Sequence, residues 1–252
     1  MYIARQRILA LRRFLAKVVN MPRKLLLGLA AVGSLVLSAP SEAVPISLEL
    51  AIVIDSSGSI SAADFATQQT SYVNALNALL PLDGSVAIEV INFASTVTVP
   101  FAEAIITNAN FGALKTAIQN MPKLNTNTAI GDAIAQAATD LNTVTIGSLR
   151  QIIDVSTDGV SNTGQNDVTA AANAVAAGIE QVNCLGVGGA ANCNFIAGTG
   201  SFSINAANFA AFEGALTTKL AREIGVPEPA SLALLATALI GAGIATRRRR
   251  RT

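Results

Sequence analysis

The sequence predicts an α/β fold: a doubly wound, mostly parallel central sheet with one antiparallel edge strand and helices on both faces. Strand-like and helical apolar patterns alternate through residues 44–225, and that alternation favours a parallel-rich sheet covered on both sides. The first strand candidate, LELAIVI at 48–54, is apolar almost without a break, as a strand buried on both faces must be. A third observation, the short Ala94-Ser95 link between two strand patterns, predicts a hairpin and with it the antiparallel edge.

The elements follow in order. After the first strand, Ser61 is placed to cap a helix, with Asp64 returning to the first turn. Phe65, Tyr72, Val73, Leu76, Leu79 and Leu80 then recur at helical spacing. Residues 85–93 and 96–101 are the hairpin strands, and a helix is expected over 111–121. Ile130, Ala133, Ile134, Ala137, Ala138 and Leu141 form an i, i+3, i+4, i+7 stripe. Residues 151–156 read as a strand, Val168, Ala171, Ala172, Val175 and Ile179 as a helix, and 182–187 as a further strand. Residues 186–201, rich in Gly, Ala and Asn, read as a surface loop, and Phe209, Phe212, Leu216 and Leu220 carry the last helix.

The chain has 252 residues and a net charge of +1, but the charge is unevenly spread. Residues 44–225 hold five bases against fourteen acids, a net of −9. Such a body repels nucleic acid phosphates and favours cations. The remaining bases cluster at the two ends, which points to membrane targeting. Lys24 precedes the apolar run LLLGLAAVGSLVLSA and then Ser41-Glu42-Ala43, the pattern of a signal peptide with cleavage expected after Ala43. Residues 1–43 are therefore read as a leader for signal peptidase, with translation expected to start at Met21, whose Pro-Arg-Lys already supplies a charged leader. The rival reading makes residues 1–20 a basic amphipathic extension on the membrane.

At the other end, Val226-Pro-Glu-Pro is followed by the uncharged residues 230–246 and five arginines, 247–251. That run sits at the short limit for a membrane span, and the arginines mark a cytoplasmic flank. Residues 226–252 resemble the bacterial PEP-CTERM sorting signal. The resemblance implies recognition by an exosortase in the inner membrane of a Gram-negative bacterium, then delivery to the cell surface or beyond. Tails of that family are processed during sorting, so a mature protein need not keep its helix.

Cys184 and Cys193 are the only cysteines. In an oxidising exported compartment they read as a disulfide, and closing so short a loop would stabilise the fold by about 2–3 kcal/mol in the chain-entropy model. Two buried free thiols are the alternative. Zinc is disfavoured because it takes four ligands and the chain has no His.

Three segments carry the chemistry. Asp55-Ser56-Ser57-Gly58-Ser59 follows the first strand, Thr128-Ala-Ile-Gly131 precedes a helix, and Ser156-Thr-Asp158-Gly159 follows a later strand. Taken singly, Thr128 could be only a helix cap and Asp158-Gly159 only a turn. Together, in this order, they resemble the three loops of a von Willebrand factor type A domain over residues 46–225. The resemblance implies a metal-ion-dependent adhesion site with Asp55, Ser57 and Ser59 on the first loop, Thr128 on the second and Asp158 on the third. Two carboxylates and three hydroxyls suit a hard cation, Mg²⁺ first, with Mn²⁺ also fitting and Ca²⁺ preferring more ligands. Gly58, Gly131 and Gly159 are expected to let the backbone turn tightly beside the ion. Asp154, Asn162 and Asp167 lie near the third loop but are left out of the ligand set.

The expected function is thus an exported binding or adhesion module whose ion captures an acidic group on an extracellular protein or polysaccharide. The alternatives are a matrix or envelope component with a purely structural ion and, less favoured, a metal-dependent hydrolase. Serine catalysis needs a base; without His only a Lys could serve, and the sequence places none near the Ser-rich loop.

Overall fold

A computed structural model describes residues 45–144 and 146–225. The expected leader at 1–43, the start at Met21 and the sorting segment at 226–252 with its helix at 230–246 lie outside the described residues. No described helix is long and apolar enough to cross a membrane.

One six-stranded sheet forms the centre, in the order β3-β2-β1-β4-β5-β6. Its strands are β1 (Leu48–Asp55), β2 (Asp83–Phe93), β3 (Val97–Thr107), β4 (Gln151–Thr157), β5 (Gln181–Val187) and β6 (Ser203–Ala206). All neighbours pair in parallel except β2 and β3, the hairpin at one edge. Every residue of β1 is buried, because its side chains alternate between two cores. Leu48, Leu50, Ile52 and Ile54 enter one; Ala51 and Val53 enter the other.

On the first face lie α1 (Ala62–Leu79), α2 (Phe111–Gln119) and α5 (Phe212–Ile224), which bring Phe65, Tyr72, Leu76, Leu114, Ile118, Phe212, Leu216 and Leu220 onto the sheet. α1 begins at Ser61, whose hydroxyl accepts from the Asp64 N–H, as its spacing predicts. On the second face lie α3 (Ile130–Thr143) and α4 (Asp167–Ala176). Here the sequence reading needs correction in part: Ala171 and Ile179 are buried and Val175 packs against the core as expected, but Val168 is half exposed and Ala172 exposed, and Ala170 and Ala174 are buried in their place. Small side chains allow α4 to pack closely, and of its two valines only Val168 faces outward. Two further differences concern β3, which runs six residues beyond the expected 101, and β6, which the sequence did not signal.

Parallel strands give the sheet two unlike poles. The strand C-termini, with the loops after β1 and β4, form one. At the other, the chain enters β1 and leaves α5: Leu149 N–H donates to the Ile46 carbonyl at 3.2 Å, and Arg150 Nη1 donates to the Glu223 carbonyl at 3.0 Å.

Candidate metal centre

The strand order reverses between β1 and β4, since β2 lies on one side of β1 and β4 on the other. Ligands of open α/β sheets bind beyond the strand ends at such a switch point. Asp55 is the last residue of β1 and Asp158 the first after β4; the register pairs Ile54 with Ser156, so the two acidic loops leave the sheet side by side.

Side-chain contacts then join them. Ser57 N–H donates to Asp55 Oδ1 at 2.8 Å, the Ser57 and Ser59 hydroxyls are 3.1 Å apart, and the Ser59 hydroxyl donates to Asp158 Oδ1 at 2.6 Å. Asp55 and Ser57 are buried, Asp158 is half-buried and Ser59 is exposed, so the oxygens run from the C-terminal end of β1 to solvent. Thr128, also buried, enters through its backbone: its N–H donates to Asn162 Oδ1 at 2.8 Å, and its carbonyl accepts from Asn162 N–H at 2.9 Å. The hydroxyl of Thr128 takes part in none of these bonds. The helix-cap reading of Thr128 does not hold, because Ala129 occupies the cap position of α3.

Burial pushes the Asp55 carboxyl up, hydrogen bonds from Ser57 and Thr157 pull it back, and the Asp158 charge adds an upward push. Among the described residues no base forms an ion pair with either carboxylate; the ion pairs are Arg150–Glu180, Lys219–Asp154 and Lys219–Glu223. A buried carboxylate beside a second one, with hydroxyls around them, fits a hard divalent cation. Among the described residues no group of three or more His, Cys, Asp or Glu side chains is arranged to hold a metal ion.

Four residues of the site escape a linear reading. Thr157 Oγ1 donates to Asp55 Oδ2 at 2.7 Å and fixes that carboxylate, and Asn162 holds Thr128. Lys123 corrects the expectation that no lysine lies near the Ser-rich loop: its Nζ donates to the Ser57 carbonyl at 2.9 Å and to Asn125 Oδ1 at 2.5 Å. Bound as a donor to two acceptors, it supports the loop and is not placed as a base. Gln68 Nε2 donates to the Asp55 carbonyl at 3.2 Å from α1. Their only sequence signal is proximity, Thr157 between two site residues and Asn162 after the third loop. Asp154 and Asp167, left out of the ligand set, lie elsewhere: Asp154 pairs with Lys219, and Asp167 opens α4.

Of the three glycines, Gly131 alone is required by space. A Cβ there would lie 2.3 Å from the Gln165 carbonyl oxygen and 2.8 Å from its carbon, whereas Gly159 has open room and Gly58 ordinary contacts. Gly131→Ala is therefore expected to force α3 and the third loop apart at a cost of about 1–3 kcal/mol, read as a lower midpoint in thermal unfolding. An unchanged midpoint would contradict the close approach.

Cys184 and Cys193 form a disulfide with a Cα–Cα distance of 5.7 Å. It reaches the site: Asn192 N–H, beside Cys193, donates to the Gly159 carbonyl at 3.0 Å. Replacing both cysteines by alanine is expected to cost about 2–3 kcal/mol in denaturant unfolding, and a loss near zero would place the loop's stability in its other contacts.

Comparison with known proteins gives the following. A family described as "Protein of unknown function (DUF1194)" matches residues 45–228, and a PEP-CTERM protein-sorting motif matches residues 225–250. No curated protein matches. Among solved structures, proximal thread matrix protein 1 from the mussel byssus aligns at 18% identity with a TM-score of 0.59, over 71% of this chain and 48% of that one. A form of it described as having a zinc-occupied MIDAS motif aligns at 17% identity and 0.55, with 71% and 48% covered. A von Willebrand factor type A protein from Catenulispora acidiphila aligns at 18% and 0.59, over 72% and 43%. The pilus adhesin SpaC from Lactobacillus rhamnosus GG aligns at 16% and 0.54, over 71% and 30%. The chain thus spans about half, or less, of these structures' length. At such identities the likeness concerns the fold, which is that of a von Willebrand factor type A domain.

Proposed function

The chain belongs to the DUF1194 family of unknown function, and from that premise we propose an exported binding module that holds a divalent ion at Asp55, Ser57, Ser59, Thr128 and Asp158 and uses it to capture an acidic group. The observation that carries this reading is the hydrogen-bonded series Asp55–Ser57–Ser59–Asp158, which leads from a buried carboxylate to an exposed hydroxyl at the switch point of the sheet. Two carboxylates nearly balance a divalent charge, and an ion held by so few protein oxygens keeps positions for water or an outside carboxylate. Mg²⁺ is the preferred ion, with Mn²⁺ next. When bound, the ion supplies Lewis-acid attraction for an acidic ligand; the chain's own residues place it at the surface and hold the loops.

The PEP-CTERM motif supports export to the cell surface or beyond, with exosortase as a processing partner. An extracellular protein or an acidic polysaccharide fits the exported setting as ligand. Lys123, the lysine beside the Ser-rich loop, is bound as a donor to the Ser57 carbonyl and Asn125 and is not placed as a base, which favours a binder over a serine hydrolase. A purely structural ion is the second reading, and the response of the fold to chelation separates the two.

The test is calorimetric titration of Mg²⁺ and Mn²⁺ into the protein, followed by thermal unfolding with and without chelator. Saturable binding with a fold that persists after chelation is expected. No binding would remove the reading, and collapse of the fold on chelation would transfer it to the structural one.

A further inference from the structure

Away from the metal loops, three ionisable side chains are sealed between the sheet and α5. Asp154 of β4, with Lys219 and Glu223 one turn apart on α5, has 0% side-chain exposure, and so do both partners. The Lys219 ammonium contacts Asp154 Oδ1 and donates to Glu223 Oε1 at 2.6 Å. Asp154 Oδ2 and Glu223 Oε2 are buried without a hydrogen-bond partner. Two carboxylates thus share one ammonium in a dry site, an arrangement whose desolvation is costly. The surroundings add little solvation: the Phe202 ring lies 5.8 Å from Nζ, Arg222 stacks on that ring at 3.7 Å, and the buried Tyr72 hydroxyl is also unpartnered. Asn183 orients the triad, its Nδ2 donating to Glu223 Oε1 at 2.9 Å while its Oδ1 accepts from Phe202 N–H at 3.0 Å.

We propose that Lys219 and Asp154 condense into an intramolecular amide, with Glu223 as the proton carrier. Glu223 takes a proton from the ammonium and passes it to Asp154 Oδ1, and the freed Nζ lone pair attacks the Cγ of the now neutral carboxyl to form the N–C bond. Glu223 then carries the second proton, shed by the nitrogen, to Oδ1; the Cγ–Oδ1 bond breaks and water leaves. Ammonium plus carboxylate gives amide plus water, with no change in oxidation state and no outside reagent. Holding the two groups in contact makes the step unimolecular. Burial and the Asp154 charge push the Glu223 carboxyl up to about 7 against the pull of Lys219, where a carboxyl passes protons in both directions near neutral pH. The product replaces the ion pair with a neutral amide whose N–H still faces Glu223. In it, α5, the element that precedes the sorting motif, is joined covalently to β4, the strand that ends at the third metal loop.

The sequence makes the test sharp, because no Lys or Arg lies between Arg150 and Lys219. Trypsin cutting of the unmodified, reduced protein releases residues 151–219 as one linear peptide. Acylation of Lys219 blocks that cut, so the expected product is residues 151–222, lighter by one water, with fragmentation placing the closure at Asp154 and Lys219. Recovery of residues 151–219 at its full mass from the protein purified after export overturns the proposal. Lys219→Arg, which keeps a buried cation but forms no such amide, is expected to abolish the water loss; a persisting loss would place the bond elsewhere and also overturn it. Glu223→Gln, with its fold checked by circular dichroism, is expected to yield the linear peptide, and a closed one would remove Glu223 from the mechanism.

Discussion

Asp55→Ala or Asp158→Ala is expected to abolish measurable Mg²⁺ binding, an affinity loss of more than about a hundredfold, since even changes behind the ligands cost roughly 10–100-fold. The two variants differ in their side effects. Asp55 is fully buried and accepts from Ser57 N–H and the Thr157 hydroxyl, so its removal leaves buried donors unpaired and costs about 1–3 kcal/mol of stability. Asp158 is half-buried and loses only the Ser59 contact, so its variant should unfold almost as the parent does. Thr157→Val separates position from charge: both carboxylates remain, but Asp55 loses the donor that fixes it, and affinity is expected to fall about 10–100-fold in the same titration. Equal affinity for parent and Asp158→Ala would show that the ion, if bound, sits elsewhere.

Stability is expected to fall as pH rises from about 5 to 9, with the slope fading as the pH passes the folded-state pKa values. Glu89 of β2 is buried, its Oε2 has no hydrogen-bond partner, and burial followed by Asp140 and Glu103 raises its pKa to about 9. Glu103 of β3, pushed to about 8 by burial and by the Glu49 and Asp140 charges, works in the same direction. For an acid raised in the folded state, the folded form binds more protons than the unfolded form, so stability present at low pH is lost as pH climbs through the folded pKa. Glu103 is half-buried as a residue, but both its carboxylate oxygens are buried without a hydrogen-bond partner, as Glu89 Oε2 is. Glu89→Gln is expected to raise the unfolding midpoint at pH 8 and flatten the pH slope. A slope unchanged in that variant would assign the effect to other groups.

What the sequence made legible was whatever repeats locally. The run 48–54 announced a doubly buried strand, and β1 is buried along its whole length. The Ser61 cap and the 130–141 stripe likewise depend on neighbours within four residues. By contrast, β6 is four residues long, with only Ala206 buried, so neither length nor pattern marks it. α4 misled at Val168, an exposed valine more apolar than Ala170 and Ala174, which do the packing. Within the site, the acids and serines were legible from their loops, while Thr157, Asn162 and Lys123 were not. Thr157 meets Asp55 across 102 positions and Lys123 meets Ser57 across 66, and no periodicity encodes such pairs. Asp154 was set aside as a strand residue, and Lys219 and Glu223 carry no sign in sequence that they face it.

The two poles of the sheet set how the domain bears load. Its chain enters and leaves at one pole, where Arg150 meets the end of α5, while the candidate ligand loops crown the other. Tension between a captured ligand and a tether at Gly225 therefore runs lengthwise along β1 and β4, whose parallel hydrogen bonds lie across that axis. They are loaded together, in shear. Pulling on residues 46 and 225 of the described domain, which share a pole, would instead peel strands one bond at a time. Single-molecule extension should show a higher rupture force for ligand-to-tail pulling than for end-to-end pulling, and the reverse order would deny the sheet that mechanical polarity.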